Sequence, residues 1–133
     1  TTIHLNGGKD MIEAASSEKG SIKILGVSIL TSLSENDIFE ITHTEFDAYF
    51  NNLISIASNT NIDGVVCSPK ELDKLKNFSK LKVVPGIRND ISDDDQKRVM
   101  SSIEAYQKGA DFIVVGRPIT KSEDPRKALE LFL

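Results

Sequence analysis

Arg88 and Arg117 are the residues whose type and spacing offer the clearest chemistry in this chain. Each follows an apolar run and lies within two residues of a glycine, in Pro85-Gly86-Ile87-Arg88 and Gly116-Arg117-Pro118. A guanidinium presents its donors in a planar fork that matches the oxygens of a phosphate or carboxylate in pairs. A neighbouring glycine, lacking a Cβ, lets backbone N–H groups approach the same anion. The pair reads as an anion clamp. The alternative is that both arginines pair with the acidic run Asp93–Asp95. Gln96 follows that run, with an amide able to bridge a phosphate and a base edge, or simply to face solvent. Thr31 and Ser32 place hydroxyls after another apolar run, where such groups also serve as helix caps.

Other reactive side chains have weaker claims. His4 is a candidate base, but on a strand the expectation is a core residue with one nitrogen satisfied. His43 sits among polar residues at a helix start and is expected at the surface. Cys67 ends an apolar run and is expected to be a small core residue rather than a nucleophile. Asp93–Asp95 lacks the ligand spacing of a defined metal site. No dinucleotide fingerprint, P-loop, zinc-protease or serine-elbow motif occurs.

The elements that must position these residues alternate in type. Thr1 to Leu5 alternates as a strand, and Asn6-Gly7-Gly8 makes a loop. Asp10 is placed to cap a helix to about Glu18, with Gly20 as its C-terminal glycine. Ile22 to Leu30 reads as a second strand ending at Thr31-Ser32. Ser34-Glu35-Asn36-Asp37 has the form of a capping box, and Thr44-Glu45-Phe46-Asp47 repeats it. Phe46, Phe50, Leu53 and Ala57 then share one helical face. Asp63 to Cys67 is a third strand, followed by the helix start Ser68-Pro69-Lys70-Glu71. Leu81 to Val84 is a fourth, and Ser101 to Glu104 opens a helix closed by Gly109.

Phe112 to Val115 is the fifth strand, expected to be buried on both faces because no polar residue interrupts it. Gly116–Thr120 is expected to be a loop, and Asp124-Pro125 starts a last helix carrying Ala128, Leu129 and Phe132. Asn61-Ile62-Asp63 before one strand resembles Gly109-Ala110-Asp111 before another. Five β-α alternations with apolar strands predict an α/β fold on a parallel sheet, with the loops after the strands on one edge.

The 133 residues suit a single domain spanning 1–133, short of a full eight-unit βα barrel. A net charge of −4 and no basic cluster argue against nucleic acid as a partner. One cysteine forms no intrachain disulfide, which suits a cytoplasmic setting. The apolar runs are too short to span a bilayer, so no membrane partner is expected. A strand that begins at the first residue, with no lead-in, is what a piece of a larger protein would show.

Several segments occur together in a family-like order: Ile3-His4-Leu5-Asn6-Gly7-Gly8, Leu30-Thr31-Ser32, Gly64-Val65-Val66-Cys67-Ser68, Pro85-Gly86-Ile87-Arg88, Asp95-Gln96-Lys97-Arg98-Val99 and Val114-Val115-Gly116-Arg117-Pro118-Ile119-Thr120. In these the chain closely resembles bacterial orotidine 5′-phosphate decarboxylases along essentially its whole length. The resemblance implies a partial (βα)8 TIM-type barrel, with five βα units corresponding to the family's fourth to eighth. It also implies decarboxylation of orotidine 5′-phosphate to UMP in pyrimidine biosynthesis, with no cofactor and usually as a homodimer. By carry-over, Arg88, Gln96, Arg117 and the backbone at Gly116 would bind the phosphate, and Thr31 would lie against the pyrimidine. In the family this remote grip contributes binding energy that helps stabilise the transition state.

The family's catalytic motif, D-x-K-x-x-D, destabilises the leaving carboxylate and protonates C6. It is absent here, since neither Lys9 nor Asp10 has that spacing. The chain is therefore expected to lack catalytic residues and to be inactive alone. The homodimer or a complementing N-terminal half would be its partner. The alternative is a remnant that binds a nucleotide monophosphate without turnover. A hexulose-phosphate synthase relationship is a third reading, against which the P-G-I-R and D-Q-K-R-V segments argue.

Overall fold

The computed structural model describes residues 1–89 and 100–133. Asp93–Asp95 and Gln96 lie outside the described residues, and so does the pairing of either arginine with that acidic run. The chain forms two compact units, Thr1–Cys67 with Phe78–Leu81, and Ser68–Asn77 with Lys82–Leu133.

The first unit is built on three parallel strands, β1 (Thr2–His4), β2 (Leu25–Val27) and β3 (Gly64–Val66). Their register runs Thr2 to Leu25 to Gly64 at one end and His4 to Val27 to Val66 at the other. Helix α1 (Gly8–Glu18) returns the chain from β1 to β2, and α2 (Glu35–Thr42) and α3 (Phe46–Ser58) return it from β2 to β3. Parallel neighbours require such crossovers. The helical face expected on α3 is present: Phe50, Leu53 and Ala57 are buried, and Phe46 stacks on Phe50 with ring centroids 6.5 Å apart.

The caps follow the sequence in part. Ser34 Oγ accepts from the Asp37 N–H (3.2 Å), and Asp37 Oδ2 accepts from the Ser34 N–H (2.7 Å), a complete capping box. Thr44 is not the cap of α3. The cap position falls one residue later, at Glu45, and the Thr44 hydroxyl donates instead to the Thr42 carbonyl (3.2 Å). Asp10 lies inside the first turn of α1 rather than before it, where a carboxylate still favours the positive end of the helix.

Three expectations about strands need correction. The run from Ile22 to Leu30 gives only the three residues of β2, because its neighbours β1 and β3 are themselves three residues long. Ile22 sits in the turn after α1, its N–H donating to the Lys19 carbonyl (3.0 Å). His4 is exposed, because in so short a strand only the central Ile3 turns inward.

The third correction concerns the second unit, where β4 (Leu81–Pro85) pairs in parallel with β5 (Phe112–Val114). β5 is not buried on both faces. Phe112 and Val114 are 56% and 50% exposed, while Ile113 between them is half-buried. Successive strand residues face opposite sides, and only the Ile113 side of β5 is substantially covered.

Around this pair lie a 3₁₀ segment (Pro69–Leu75), α4 (Ser102–Gln107), α5 (Arg117–Thr120) and α6 (Pro125–Glu130). Val84, Ile87, Ala105 and Phe132 are buried there. Ser68 and Glu71 form the expected capping box, Ser101 caps α4, and Asp124 caps α6. The segment expected as a loop after β5 instead contains α5. Pro118 at its second position has a preset φ and no N–H that a first turn would need. Among the described residues, no helix is long and apolar enough to cross a membrane.

Candidate functional site

The register of β4 on β5 locates the two arginines. Pro85 pairs with Val114, the last pair of that ladder. Arg88 lies three residues beyond Pro85, and Arg117 three residues beyond Val114. Both arginines therefore come the same number of residues after the last pair of two adjacent parallel strands. Both strand ends also carry a glycine that, among the described residues, is beside open space: apart from its chain neighbours, none of their atoms lies within 4 Å of where a Cβ would stand at Gly86 or Gly116. Gly86 has φ +78°, a conformation that residues with a Cβ rarely adopt, so glycine is required for the turn itself. Gly116 has φ −104° and is not required by its backbone sign, which leaves the open approach as its distinctive property.

Arg88 is held at its backbone. Its N–H donates to the Met100 carbonyl (3.2 Å), and Ile87 forms a parallel bridge with Met100. Asn89, which drew no attention in the sequence, makes three side-chain hydrogen bonds among the described residues. Its Oδ1 accepts from the Ser102 N–H (3.0 Å), and its Nδ2 donates to Ser102 Oγ (3.3 Å) and to the Leu131 carbonyl (2.5 Å). Nothing in the sequence pattern signals its partners 13 and 42 residues away. Arg117 is exposed and is the first residue of α5.

Arg88, Gly116 and Arg117 thus belong to one unit. Thr31 belongs to the other, exposed in a turn after β2 that is closed by the Leu33 N–H on the Leu30 carbonyl (3.0 Å). His43 is at the surface, ending α2 with φ +51° and meeting Phe39 edge-on at 6.4 Å. Cys67 is buried, as expected of a core residue.

Carboxylates dominate the opposite ends of the strands. Asp63 precedes β3; its Oδ2 accepts from Lys19 Nζ (2.7 Å) and from the Ile24 N–H (2.8 Å), with Lys23 3.9 Å from Oδ1. The Lys19 hydrogen bond, then the Ile24 N–H, hold this carboxyl below its ordinary value. Asp111 precedes β5 and grips its neighbour with fewer partners, its Oδ2 accepting from the Lys82 N–H (2.7 Å) with Lys82 Nζ at 3.8 Å. Each aspartate also donates its own N–H to the carbonyl of the residue it grips, Ile24 and Lys82, both at 2.9 Å. The likeness noted before the two strands is therefore a shared two-way clamp. Nearby in the first unit, Lys80 Nζ donates to the Ala57 and Thr60 carbonyls at the end of α3 (2.8 and 2.5 Å), and burial pushes this amine down.

The family model for the "Orotidine 5'-phosphate decarboxylase / HUMPS family" matches residues 1–132. The chain belongs to that family. The orotidine 5′-phosphate decarboxylase of Aquifex aeolicus is 45% identical over 98% of this chain, and that of Ehrlichia chaffeensis 41% over 97%. The chain spans 59% of the length of each of these relatives. The crystal structure of orotidine 5′-phosphate decarboxylase from Lactobacillus acidophilus superposes with a TM-score of 0.83 at 32% identity, covering 99% of this chain and 60% of that one. Against these members of the orotidine 5′-phosphate decarboxylase family, the five βα units are the C-terminal part of a (βα)8 barrel.

Proposed function

We propose that this chain, as one domain over 1–133, is the phosphate-gripping part of an orotidine 5′-phosphate decarboxylase. Arg88, Arg117 and the Gly116 backbone hold the 5′-phosphate, and family resemblance adds Gln96. Thr31 lies against the pyrimidine. The observation that carries this reading is the register of Pro85 on Val114, which launches Arg88 and Arg117 from matching positions beside two open glycines. Paired guanidiniums suit a phosphate dianion because each supplies charge-assisted, bidentate hydrogen bonds.

The chemistry itself needs more than this grip. The aspartate–lysine–aspartate motif is absent from the sequence, so the chain alone holds UMP or orotidine 5′-phosphate without decarboxylating it. Turnover requires the family's first three βα units, supplied by a complementing N-terminal half, and the working enzyme is a cytoplasmic homodimer. Exposure of Phe112 and Val114 along β5 supports this reading, because an apolar strand face of that kind is expected to be covered.

The test is to mix the chain with a polypeptide carrying the first three βα units of the Aquifex aeolicus relative, and to follow UMP formation. The mixture is expected to produce UMP and the chain alone none, while calorimetry of the chain alone with UMP gives saturable heat. Turnover by the chain alone would overturn the assignment of catalysis to the missing units. No UMP from the mixture, together with no heat at millimolar nucleotide, would overturn the reading as a whole.

A further inference from the structure

Asn89, next to Arg88, connects its segment to the start of α4 and the end of α6. Its side chain uses both of its functions: the carbonyl oxygen accepts from the Ser102 N–H, and the amide nitrogen donates to Ser102 Oγ and the Leu131 carbonyl. Ser102 is buried (4% exposed) at the first position of α4, and Leu131 is the C-cap of α6. Helix α6 packs against α5, whose first residue is Arg117. A continuous path therefore runs from the residue beside Arg88, through the Leu131 carbonyl, α6 and α5, to Arg117.

Among the described residues, two backbone contacts of this segment, the Arg88 N–H and the Ile87 bridge, run to Met100. The amide is also chemically specific for the role, since it must accept at one atom and donate twice at the other. An aspartate cannot donate to the Leu131 carbonyl, and an alanine does neither.

We infer that Asn89 is a positioning residue that sets Arg88 at a fixed separation from Arg117, and so tunes the pair for a single phosphate; this rests on the phosphate-binding reading above. Binding one anion with two guanidiniums is cheapest when their spacing is set beforehand, because less ordering remains for the ligand to impose. Asn89 need not touch the nucleotide. Its effect passes through Arg88.

The experiment is a double-mutant cycle on the full 133-residue chain, with UMP affinity measured by calorimetry for wild type, Asn89→Ala, Arg88→Ala and the double variant. Loss of a small hydrogen-bond cluster corresponds to about a tenfold loss of affinity, so Asn89→Ala is expected to bind UMP roughly tenfold more weakly. In the Arg88→Ala background the same change is expected to cost less than about twofold, because the residue it positions is gone. A purely structural Asn89 would cost the same in both backgrounds, and that result would overturn the inference. If circular dichroism shows Asn89→Ala unfolded, Asn89→Ser, whose short hydroxyl does not reach both partners, replaces it in the cycle. The two readings fail differently. Unchanged UMP affinity in Arg88→Ala, or no UMP binding by wild type, removes the phosphate assignment and this inference with it. A loss in Arg88→Ala with none in Asn89→Ala removes the positioning role alone.

Discussion

The two ends of the strands are built from different materials. Where β3 and β5 start, Asp63 and Asp111 grip the neighbouring strand with carboxylate and backbone together. Gly64 lies at the same end, so tightly packed that a Cβ would come within 2.4 Å of the Leu81 carbonyl. Where β4 and β5 finish, the glycines face open space among the described residues, and the charged groups are arginines. One end is closed by internal hydrogen bonds, and the other presents groups that a ligand can use. In βα barrels this division separates residues kept for stability from residues kept for chemistry.

The largest effect expected from this division is at Arg117. Arg117→Ala should weaken UMP binding by roughly a hundredfold or more, as loss of one charge from a paired anion site does. The melting temperature should stay near wild type, since the residue is exposed. Calorimetry beside thermal melting checks both halves; unchanged affinity would contradict the assignment.

Asp63→Ala should do the reverse, lowering stability without a direct effect on the phosphate grip. The buried Ile24 N–H would lose its carboxylate partner, at a cost of about 2–3 kcal/mol in urea unfolding. The acid dependence has a definite sign. Asp63 is held below its ordinary value of 3.8, so its contribution is fully present above that value and is lost as pH falls through the lowered one. Wild type should therefore lose stability more steeply than Asp63→Ala as the pH is taken below about 4. Parallel acid profiles for the two proteins would place the pH dependence elsewhere.

The glycines sharpen the comparison at smaller scale. Gly64→Ala should cost about 1–2 kcal/mol of stability, because the nearest obstacle is a backbone carbonyl and the strands must shift. Gly116→Ala should leave stability unchanged and weaken UMP binding, since its methyl would enter the open space assigned to the phosphate in the proposed function. Equal stability losses in the two variants, measured by urea unfolding, would erase the difference between the strand ends.

The smallest effect should be at Asp111. Its side chain is 41% exposed, and it has one close backbone partner and a lysine at 3.8 Å. Asp111→Ala should cost about 1 kcal/mol or less, visibly below Asp63→Ala in the same assay.

Much of this organisation was legible beforehand because it depends on local rules. The capping boxes at Ser34 and Ser68, the apolar face of α3 and the glycines closing α1 and α4 each depend on residues within a few positions of one another. The likeness of Asn61-Ile62-Asp63 to Gly109-Ala110-Asp111 was visible too, although its meaning as a clamp on the preceding strand was not. Illegible features depended on distant partners. β2 is short because β1 and β3 are short, and Phe112 and Val114 are exposed because only one side of β5 is substantially covered. Asn89 carried no signal because Ser102 and Leu131 are far along the chain.

The sequence by itself determined the five β-α alternations, the family and the identity of both arginines, because periodicity, caps and motif order are properties of neighbouring residues. It also determined the absence of the aspartate–lysine–aspartate motif. Only the tertiary structure decided that Arg88 and Arg117 follow a shared register at Pro85 and Val114, that Asp63 and Asp111 lock the opposite ends, and that the Asn89 side chain bonds to the end of α6. The physical reason is the same in each case. A strand's partner, and the hydrogen bonds left for its side chains, are fixed by which segments pack together, and no local pattern carries that choice.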